Sequence, residues 1–232
     1  MQVPSDVSLE CPIEWLPAAG RPEQLILLLH GWCSSATDMA PLAQRLRLEF
    51  PQAAVLAPDA PHVGDKGRRR QWYSITDLDA TTWPVRVDSV LPMLQVWVRA
   101  QQQRLGVGPA ATALGGFSQG AVLALSLALK EDGIAGRVLA FGGMLPKAPL
   151  AAPRHTTLHL FHGEDDKVFA AGALRRCFEQ LGELQGDATI DLAEGIGHEL
   201  HPVLIARAMH RLHSHIPLRT WQAALGAAQA AR

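Results

Sequence analysis

Short apolar runs alternate with amphipathic segments along most of this 232-residue chain. Residues 25–29 are five consecutive apolar residues that end at His30-Gly31. A run of this length stopped by glycine is typical of a strand that is buried on both faces. Similar runs predict five further strands, at residues 53–57, 112–115, 138–141, 158–161 and 189–192. Helical spacing of apolar residues predicts helices over residues 39–48, 84–105, 119–130, 170–181 and 202–213.

The alternation of strands and helices indicates an α/β fold with a mostly parallel central sheet and helices on both faces. We expect one domain over residues 1–232. Residues 58–83 form a long segment rich in charge, glycine and aromatics, which we interpret as a wall or lid over a site. Residues 216–232 are rich in alanine and predict a terminal helix, with Trp221 and Leu225 available to dock it.

Composition narrows the classes of function. The chain is 48% hydrophobic and 19% charged, and its formal net charge is −1. No long-range field therefore favours nucleic acid or an anionic membrane, and the basic run at residues 66–70 is interpreted as a solvated loop. Three widely spaced cysteines suggest neither a disulfide framework nor a zinc site. Residues 1–10 lack a secretory signal, and no apolar stretch is long enough for stable membrane insertion, so we expect a cytoplasmic protein.

A candidate nucleophile lies between a predicted strand and a predicted helix. Residues 116–120 read Gly-Phe-Ser-Gln-Gly, the G-x-S-x-G pattern of a nucleophile elbow, with Ser118 at its centre. The alternative is a glycine-rich turn with an incidental serine. Because the pattern occurs in the strand-to-helix context that the elbow requires, we predict Ser118 as the nucleophile and the α/β-hydrolase fold.

A nucleophilic serine needs a base and a carboxylate that orients the base, and in this fold they follow the serine in the order acid, then histidine. Asp166 follows the predicted strand 158–161, and His198 follows the strand 189–192 within Gly195-Ile196-Gly197-His198. Both loops leave the carboxyl ends of strands, so we predict Asp166 as acid and His198 as base. Glu164 and Asp165 remain alternatives for the acid because they are adjacent.

The pair His198 and His201 also raises the question of a metal site. The two lack the spacing of the H-E-x-x-H zinc motif, in which both histidines share one helical face. We therefore expect no metal and no organic cofactor.

The tetrahedral intermediates of acyl transfer need about two N–H donors aimed at the oxyanion. The backbone of Gln119, next to the nucleophile, and the backbone of Trp32, in the loop after His30, are the candidates. Candidate walls of the substrate pocket are Trp32, Met39, Trp72 and the turn that holds Met144 and Leu145, for which core packing is an equal alternative.

These residues resemble the acyl-protein thioesterase and carboxylesterase family of the phospholipase/carboxylesterase type, and most of all its small bacterial esterases. The resemblance runs over residues 25–225 and includes Leu-His-Gly at 29–31, Arg-Gln-Trp-Tyr-Ser at 70–74 and Gly-Gly-Phe-Ser-Gln-Gly-Ala at 115–121. It also includes His162-Gly163 with Asp166, and Gly197-His198.

The resemblance implies the same triad, Ser118, Asp166 and His198, with Trp32 and Gln119 as oxyanion donors. Two departures are visible. The family often has Gly or Leu-Gly around Trp32-Cys33, which bears on pocket shape, and frequently has proline at Lys167, which bears on the register of the acid loop.

The expected activity is hydrolysis of short- to medium-chain carboxylic esters through an acyl-enzyme, with a small-molecule ester or thioester as substrate. Acyl-protein thioesterase or lysophospholipase activity is the alternative among enzymes. A non-catalytic binding module of the same fold is the alternative from another class, although such proteins typically lose a triad member. Apolar residues in loops and near the C-terminus are compatible with a homodimer.

Overall fold

A seven-stranded sheet forms the centre of the computed structural model, which describes residues 9–67 and 69–230. Its strands are β1 (Ile13–Trp15), β2 (Gln24–Leu29), β3 (Ala53–Ala57), β6 (Thr112–Phe117), β7 (Arg137–Phe141), β8 (Thr157–Gly163) and β9 (Ala188–Ala193). The order across the sheet is β1-β3-β2-β6-β7-β8-β9, and all pairs are parallel except β1 with β3. Two short strands, β4 (His62–Val63) and β5 (Arg70–Gln71), form a separate hairpin.

Among the described residues there are six α-helices: α1 (Ala40–Glu49), α2 (Thr82–Leu105), α3 (Gln119–Lys130), α4 (Ala171–Glu183), α5 (Pro202–Ser214) and α6 (Leu218–Ala230). The first four connect strands, and α5 and α6 follow β9. Within the described residues, none of them is both long and apolar enough to cross a membrane. The sequence placed the first five helices within two residues of these bounds.

Two hydrophobic clusters cover the two faces of the sheet. Strand β2 contributes side chains to both, which explains why residues 25–29 are continuously apolar. Leu25, Leu27 and Leu29 belong to the cluster that includes residues of α2, α3 and α4. Ile26 and Leu28 belong to the cluster that includes residues of α1 and α5. Since successive side chains point to opposite faces of a strand, residues 25–29 enter both clusters in turn, which accounts for a run that is apolar at every position. The predicted α/β-hydrolase fold is confirmed.

The sequence analysis missed three short strands. β1 pairs antiparallel with β3 at the sheet edge, and the hairpin β4–β5 lies inside residues 58–83. Strands of two or three residues have no detectable hydrophobic period, so only contacts with distant segments define them.

The terminal helix is present as α6, but the expected docking residues do not dock it. Trp221 is 55% exposed and Leu225 is 63% exposed. The start of the helix is held by polar contacts instead, since the Leu218 N–H and the His215 ring contact the carboxylate of Asp187. Arg219 also donates to the Thr157 hydroxyl. The prediction that Trp221 and Leu225 anchor this helix was therefore wrong.

Candidate active site

Ser118 stands at the sharp turn between β6 and α3, with φ +53° and ψ −117°. Left-handed backbone is costly for a residue with a side chain, and it persists where the surroundings over-determine it. Here the Ser118 N–H donates to the Phe141 carbonyl at 2.9 Å, and the first turn of α3 follows at once. This geometry is that of a nucleophile elbow, and it leaves the side chain at the carboxyl ends of the central strands.

Glycine two residues after the serine is required by a close approach of backbones. A Cβ on Gly120 would lie 2.0 Å from the Leu29 carbonyl oxygen, and one on Gly116 would lie 2.3 Å from the Gly120 carbonyl carbon. No side chain fits at either distance, so helix α3 can pack this close to β2 and β6 only with glycine at both positions.

The structure brings Ser118, His198 and Asp166 into one hydrogen-bonded line. His198 Nε2 lies 3.0 Å from Ser118 Oγ, and His198 Nδ1 lies 2.7 Å from Asp166 Oδ2. Because a carboxylate only accepts, Nδ1 carries the proton and donates, which leaves Nε2 free to accept from the serine hydroxyl. The imidazole is packed between the rings of Phe117 and Phe169, at centroid distances of 4.9 and 5.8 Å.

The carboxylate of Asp166 is completely buried and has hydrogen-bond donors on both oxygens. Oδ1 accepts from the backbone N–H groups of Val168 at 2.7 Å and Phe169 at 2.9 Å. Oδ2 accepts from His198 and lies 3.4 Å from Nε2 of the buried His162, whose N–H donates to the Phe169 carbonyl at 2.7 Å. A buried charge is tolerated when it is paired and hydrogen-bonded in this way.

The neighbouring acidic residues point elsewhere. Asp165 is exposed, and Glu164 forms an ion pair with Arg175. Of the three consecutive acids at 164–166, Asp166 is therefore the one in contact with His198.

His201 serves as a helix cap. Its Nδ1 accepts from the Val203 N–H at the start of α5. Among the described residues there is no cluster of three or more histidine, cysteine, aspartate or glutamate side chains that could hold a metal ion.

Gln119 follows Ser118 in the chain, and Trp32 lines the same cleft as both. Gln119 is the first residue of α3, whose N–H has no partner inside the helix. Trp32 lies in the loop after β2, and within the described segments its N–H has no hydrogen-bond acceptor. Two such groups at the serine, one of them at the positive end of a helix, can stabilise a developing oxyanion.

A cleft of about 800 Å³ opens over Ser118 and His198. Its apolar walls come mainly from the loop that carries Asp166, from residues 75–83 and from the loop after β2. They comprise Ile75, Leu78, Trp83, Val168, Phe169, Met39 and Leu200. Trp83 stacks on Phe169 at 5.7 Å, and its indole N–H donates to the Tyr73 hydroxyl at 3.2 Å. Burial raises the pKa of Tyr73 to about 12, so this hydroxyl stays neutral.

Of the expected pocket residues, only Met39 and Trp32 line this cleft. Trp72 is fully buried and its indole donates to the His30 carbonyl at 2.9 Å. Leu145 belongs to the core, and Met144 packs against it. Core packing, the alternative considered for these three residues, is what the structure has. Trp83 and Phe169 line the cleft but were not predicted from the sequence. Their position in the segments 58–83 and 164–169 was the only feature that could have suggested them as wall residues.

The basic run at residues 66–70 lies beside the cleft. Lys66 sits over the Trp32 ring at 5.0 Å, and Arg69 pairs with Asp38 at the cleft rim. Arg68 lies outside the described residues. Of the described residues of this run, Lys66 and Arg69 are exposed and Arg70 is half-buried, and the run contacts the loop bearing Trp32.

Comparisons with known proteins identify relatives of this chain. The sequence profile of the phospholipase/carboxylesterase family matches residues 16–216. The chain is 34% identical over 203 residues to Esterase YpfH of Escherichia coli strain K12, covering 88% of each chain. It is 25% identical over 206 residues to acyl-protein thioesterase 1 of Gibberella zeae, covering 81% of this chain and 86% of the other.

Among solved structures, the crystal structure of esterase PE8 matches with a TM-score of 0.83 and 28% identity. The match covers 90% of this chain and all of that one.

Proposed function

The chain belongs to the phospholipase/carboxylesterase family and is an esterase of that family, and from this premise we propose that it cleaves short- to medium-chain carboxylic esters with Ser118 as nucleophile. The observation that carries the proposal is the line from Ser118 Oγ through His198 to Asp166, with contacts of 3.0 and 2.7 Å. The line lies in an apolar cleft, which is the type of site that binds acyl groups.

In the proposed mechanism, His198 Nε2 takes the hydroxyl proton of Ser118 as the oxygen attacks the ester carbonyl carbon. The oxyanion of the tetrahedral intermediate accepts from the N–H groups of Trp32 and Gln119. Collapse of the intermediate breaks the ester bond, and the His198 imidazolium gives its proton to the leaving alcohol. Water, activated by the same imidazole, then releases the acid from Ser118. Asp166 holds the imidazole and stabilises its cationic form.

The shape of the cleft supports short to medium acyl chains. Ile75 and Val168, which line it, are 37% and 60% exposed, so the cleft opens to solvent. Each methylene that is buried gains about 0.8 kcal/mol, or about fourfold in kcat/KM, whereas methylenes that extend into solvent gain nothing. We expect kcat/KM to rise with chain length and then level off.

The test compares turnover of nitrophenyl esters of increasing acyl length with that of a long-chain thioester and a lysophospholipid. Highest kcat/KM on the short and medium esters supports the proposal. Highest kcat/KM on the thioester would assign acyl-protein thioesterase activity instead, the activity named for the Gibberella zeae relative.

A second arm identifies the nucleophile. Wild-type protein should form a covalent adduct with a fluorophosphonate probe, and Ser118→Ala should lose both the adduct and turnover while keeping its melting temperature. Ser214→Ala, an exposed serine on α5, is the matched control and should label like wild type. Absence of labelling and turnover in wild type would favour a non-catalytic binding protein.

A further inference from the structure

The side chain of Trp32 is held by a chain of hydrogen bonds that the proposed mechanism does not use. Its indole Nε1 donates to Gln71 Oε1 at 2.7 Å. Gln71 is 3% exposed, and its Nε2 donates to Asp65 Oδ1 at 2.7 Å. The backbone N–H of Asp65 also donates to Gln71 Oε1, at 3.1 Å. Trp32, Gln71 and Asp65 therefore form one continuous network.

The orientation of the Gln71 amide in this network follows from its neighbours. A carboxylate only accepts, so the NH₂ group must face Asp65, and an indole N–H only donates, so the oxygen must face Trp32. Hydrogen bonding, first from Gln71, lowers the pKa of Asp65 to about 2, so this carboxylate is charged at any pH at which the protein is assayed. Charge-assisted hydrogen bonds are stronger than neutral ones, which makes Asp65 a firm anchor for the amide.

Asp65 is fixed in turn by the segment that follows β5. Its Oδ2 accepts from the Ser74 hydroxyl and from the Ile75 N–H, both at 2.9 Å. The backbone of Ser34, two residues after Trp32, pairs with Arg70 through hydrogen bonds of 3.0 and 2.9 Å. The hairpin β4–β5 is thus hydrogen-bonded to the loop after β2 at two places, the Trp32 indole and the Ser34 backbone.

This loop needs external support because its backbone is strained. Cys33, the residue next to Trp32, has φ +47°, a left-handed conformation that a residue with a side chain rarely adopts. Such conformations persist only where the surrounding structure enforces them. Without the contacts from the hairpin, nothing enforces this backbone conformation, and the direction of the Trp32 N–H can change.

We propose that Gln71 and Asp65 are positioning residues that hold the oxyanion donor Trp32 in its reactive conformation. The proposal rests on the proposed function, since the Trp32 N–H is an oxyanion donor only if acyl transfer occurs at Ser118. Oxyanion donors act on charge that develops in the transition state, so loss of the contacts from the hairpin should lower kcat and leave KM nearly unchanged. Removal of a complete donor costs about 10²–10³ in kcat, and a misaligned donor should cost about 10- to 100-fold.

The test is a double-mutant cycle. Gln71→Met keeps the side-chain length but removes both hydrogen-bonding groups, and Trp32→Phe removes the indole N–H while keeping an aromatic ring. Each should lower kcat about 10- to 100-fold with KM within about threefold, and the double variant should be no slower than the slower single variant, because both break the same contact. Asp65→Asn, at an exposed position, should give a smaller loss of about 3- to 10-fold.

A second readout separates positioning from general destabilisation. The affinity of a boronic acid, which forms a tetrahedral adduct with a serine, should fall by the same factor as kcat/KM. Val63→Ala, at an exposed position of the same hairpin, is the matched control and should change neither quantity. Melting temperatures are measured for all variants, and Asp65→Asn keeps the test decisive if Gln71→Met does not fold.

Additive losses in the double variant, a rise in KM at constant kcat, or unchanged kcat in Gln71→Met and Asp65→Asn would overturn the proposal. Ser118→Ala is assayed in the same series. If wild type turns over ester and Ser118→Ala does not, the proposed function stands whatever the Gln71 variants do. If wild type has no turnover, the proposed function and this inference both fall.

Discussion

Replacement of Asp166 by asparagine tests how the carboxylate controls the base. In the structure, Oδ1 accepts from two backbone N–H groups, those of Val168 and Phe169, and Oδ2 accepts from His198 Nδ1. An asparagine has one acceptor and one donor where aspartate has two acceptors. The side chain of the variant must therefore choose which of the two sides keeps the oxygen.

The backbone N–H groups of Val168 and Phe169 favour one of the two orientations. With its oxygen toward Val168 and Phe169, the asparagine keeps two hydrogen bonds and presents its NH₂ group to His198. Nδ1 must then accept, so the proton moves to Nε2 and the imidazole cannot take the proton of Ser118. The opposite orientation restores the reactive tautomer, but it sets the NH₂ group against two backbone N–H donors.

The size of the expected loss in kcat depends on how strongly the unreactive orientation is favoured. Leaving these two part-buried donors unsatisfied costs up to about 1–3 kcal/mol each, so the reactive orientation is less populated by up to about 10⁴-fold. Loss of the negative charge that stabilises the imidazolium adds to this. We therefore expect kcat to fall by about 10³- to 10⁴-fold, close to the loss of about 10⁴ known for the same change in a serine protease.

The assay is kcat on a nitrophenyl ester, with melting temperature as the check on folding. Asp165→Asn is the matched control, since Asp165 is exposed and does not contact His198, and it should retain kcat within about twofold of wild type. Equal losses in the two variants would refute the tautomer argument, and a larger loss in Asp165→Asn would assign the acid to Asp165.

Two further predictions concern stability. Burial, followed by the charge of Arg137, lowers the pKa of His159 to about 3. The unfolded chain therefore binds a proton at this residue below about pH 6.5, before the folded protein does. The free energy of unfolding should fall as the pH drops from there toward 3, by up to about 1.4 kcal/mol per pH unit. His159→Gln should flatten the fall of the urea midpoint between about pH 7 and about pH 5, and equal slopes in variant and wild type would contradict this. Gly120→Ala should prevent folding or lower Tm by at least about 6 °C, because its Cβ would lie 2.0 Å from the Leu29 carbonyl oxygen. Gly226→Ala, where a Cβ meets nothing within 4 Å, should leave Tm unchanged or slightly raised, and a Tm of Gly120→Ala equal to that of wild type would refute the steric argument.

Sequence alone predicted the parallel strands and the first five helices because both faces of the sheet are covered. Such strands appear as continuous apolar runs, and the helices between them carry one apolar stripe. The strand-to-helix position of Ser118 and the positions of Asp166 and His198 after strands could be predicted for the same reason. The packing of a terminal helix could not be predicted in this way, as Trp221 and Leu225 of α6 show. An amphipathic pattern does not identify the surface against which the helix packs.

The cleft walls were the least predictable part of the site. Trp72 was a candidate wall of the pocket with core packing as the alternative, and it is buried with its indole on the His30 carbonyl, 42 positions away in sequence. Trp83 and Phe169 stack on each other across 86 positions, which no local pattern contains. An aromatic residue in a loop has the same sequence appearance whether it packs in the core or faces the cleft.

The side chain of Gln119 links the segments that sequence analysis could only identify separately. Its Oε1 accepts from the Trp72 N–H at 3.1 Å, and its Nε2 donates to the Tyr73 carbonyl at 2.7 Å. Trp72 donates in turn to the carbonyl of His30, which begins the loop that carries Trp32. The nucleophile elbow, the segment after β5 and the loop after β2 are therefore connected through one buried amide.

This connection explains why the residue after Ser118 is a glutamine. The side chain at position 119 must satisfy a backbone N–H and a backbone carbonyl at once, which requires one acceptor and one donor on the same group. A glutamate at this position could accept from Trp72, but it would set a charged oxygen against the Tyr73 carbonyl in a buried site, where an unpaired charge is costly. Gln119 thus has two separable roles. Its backbone N–H is a proposed oxyanion donor, and its side chain binds the segment that contacts the loop of Trp32, the second proposed donor.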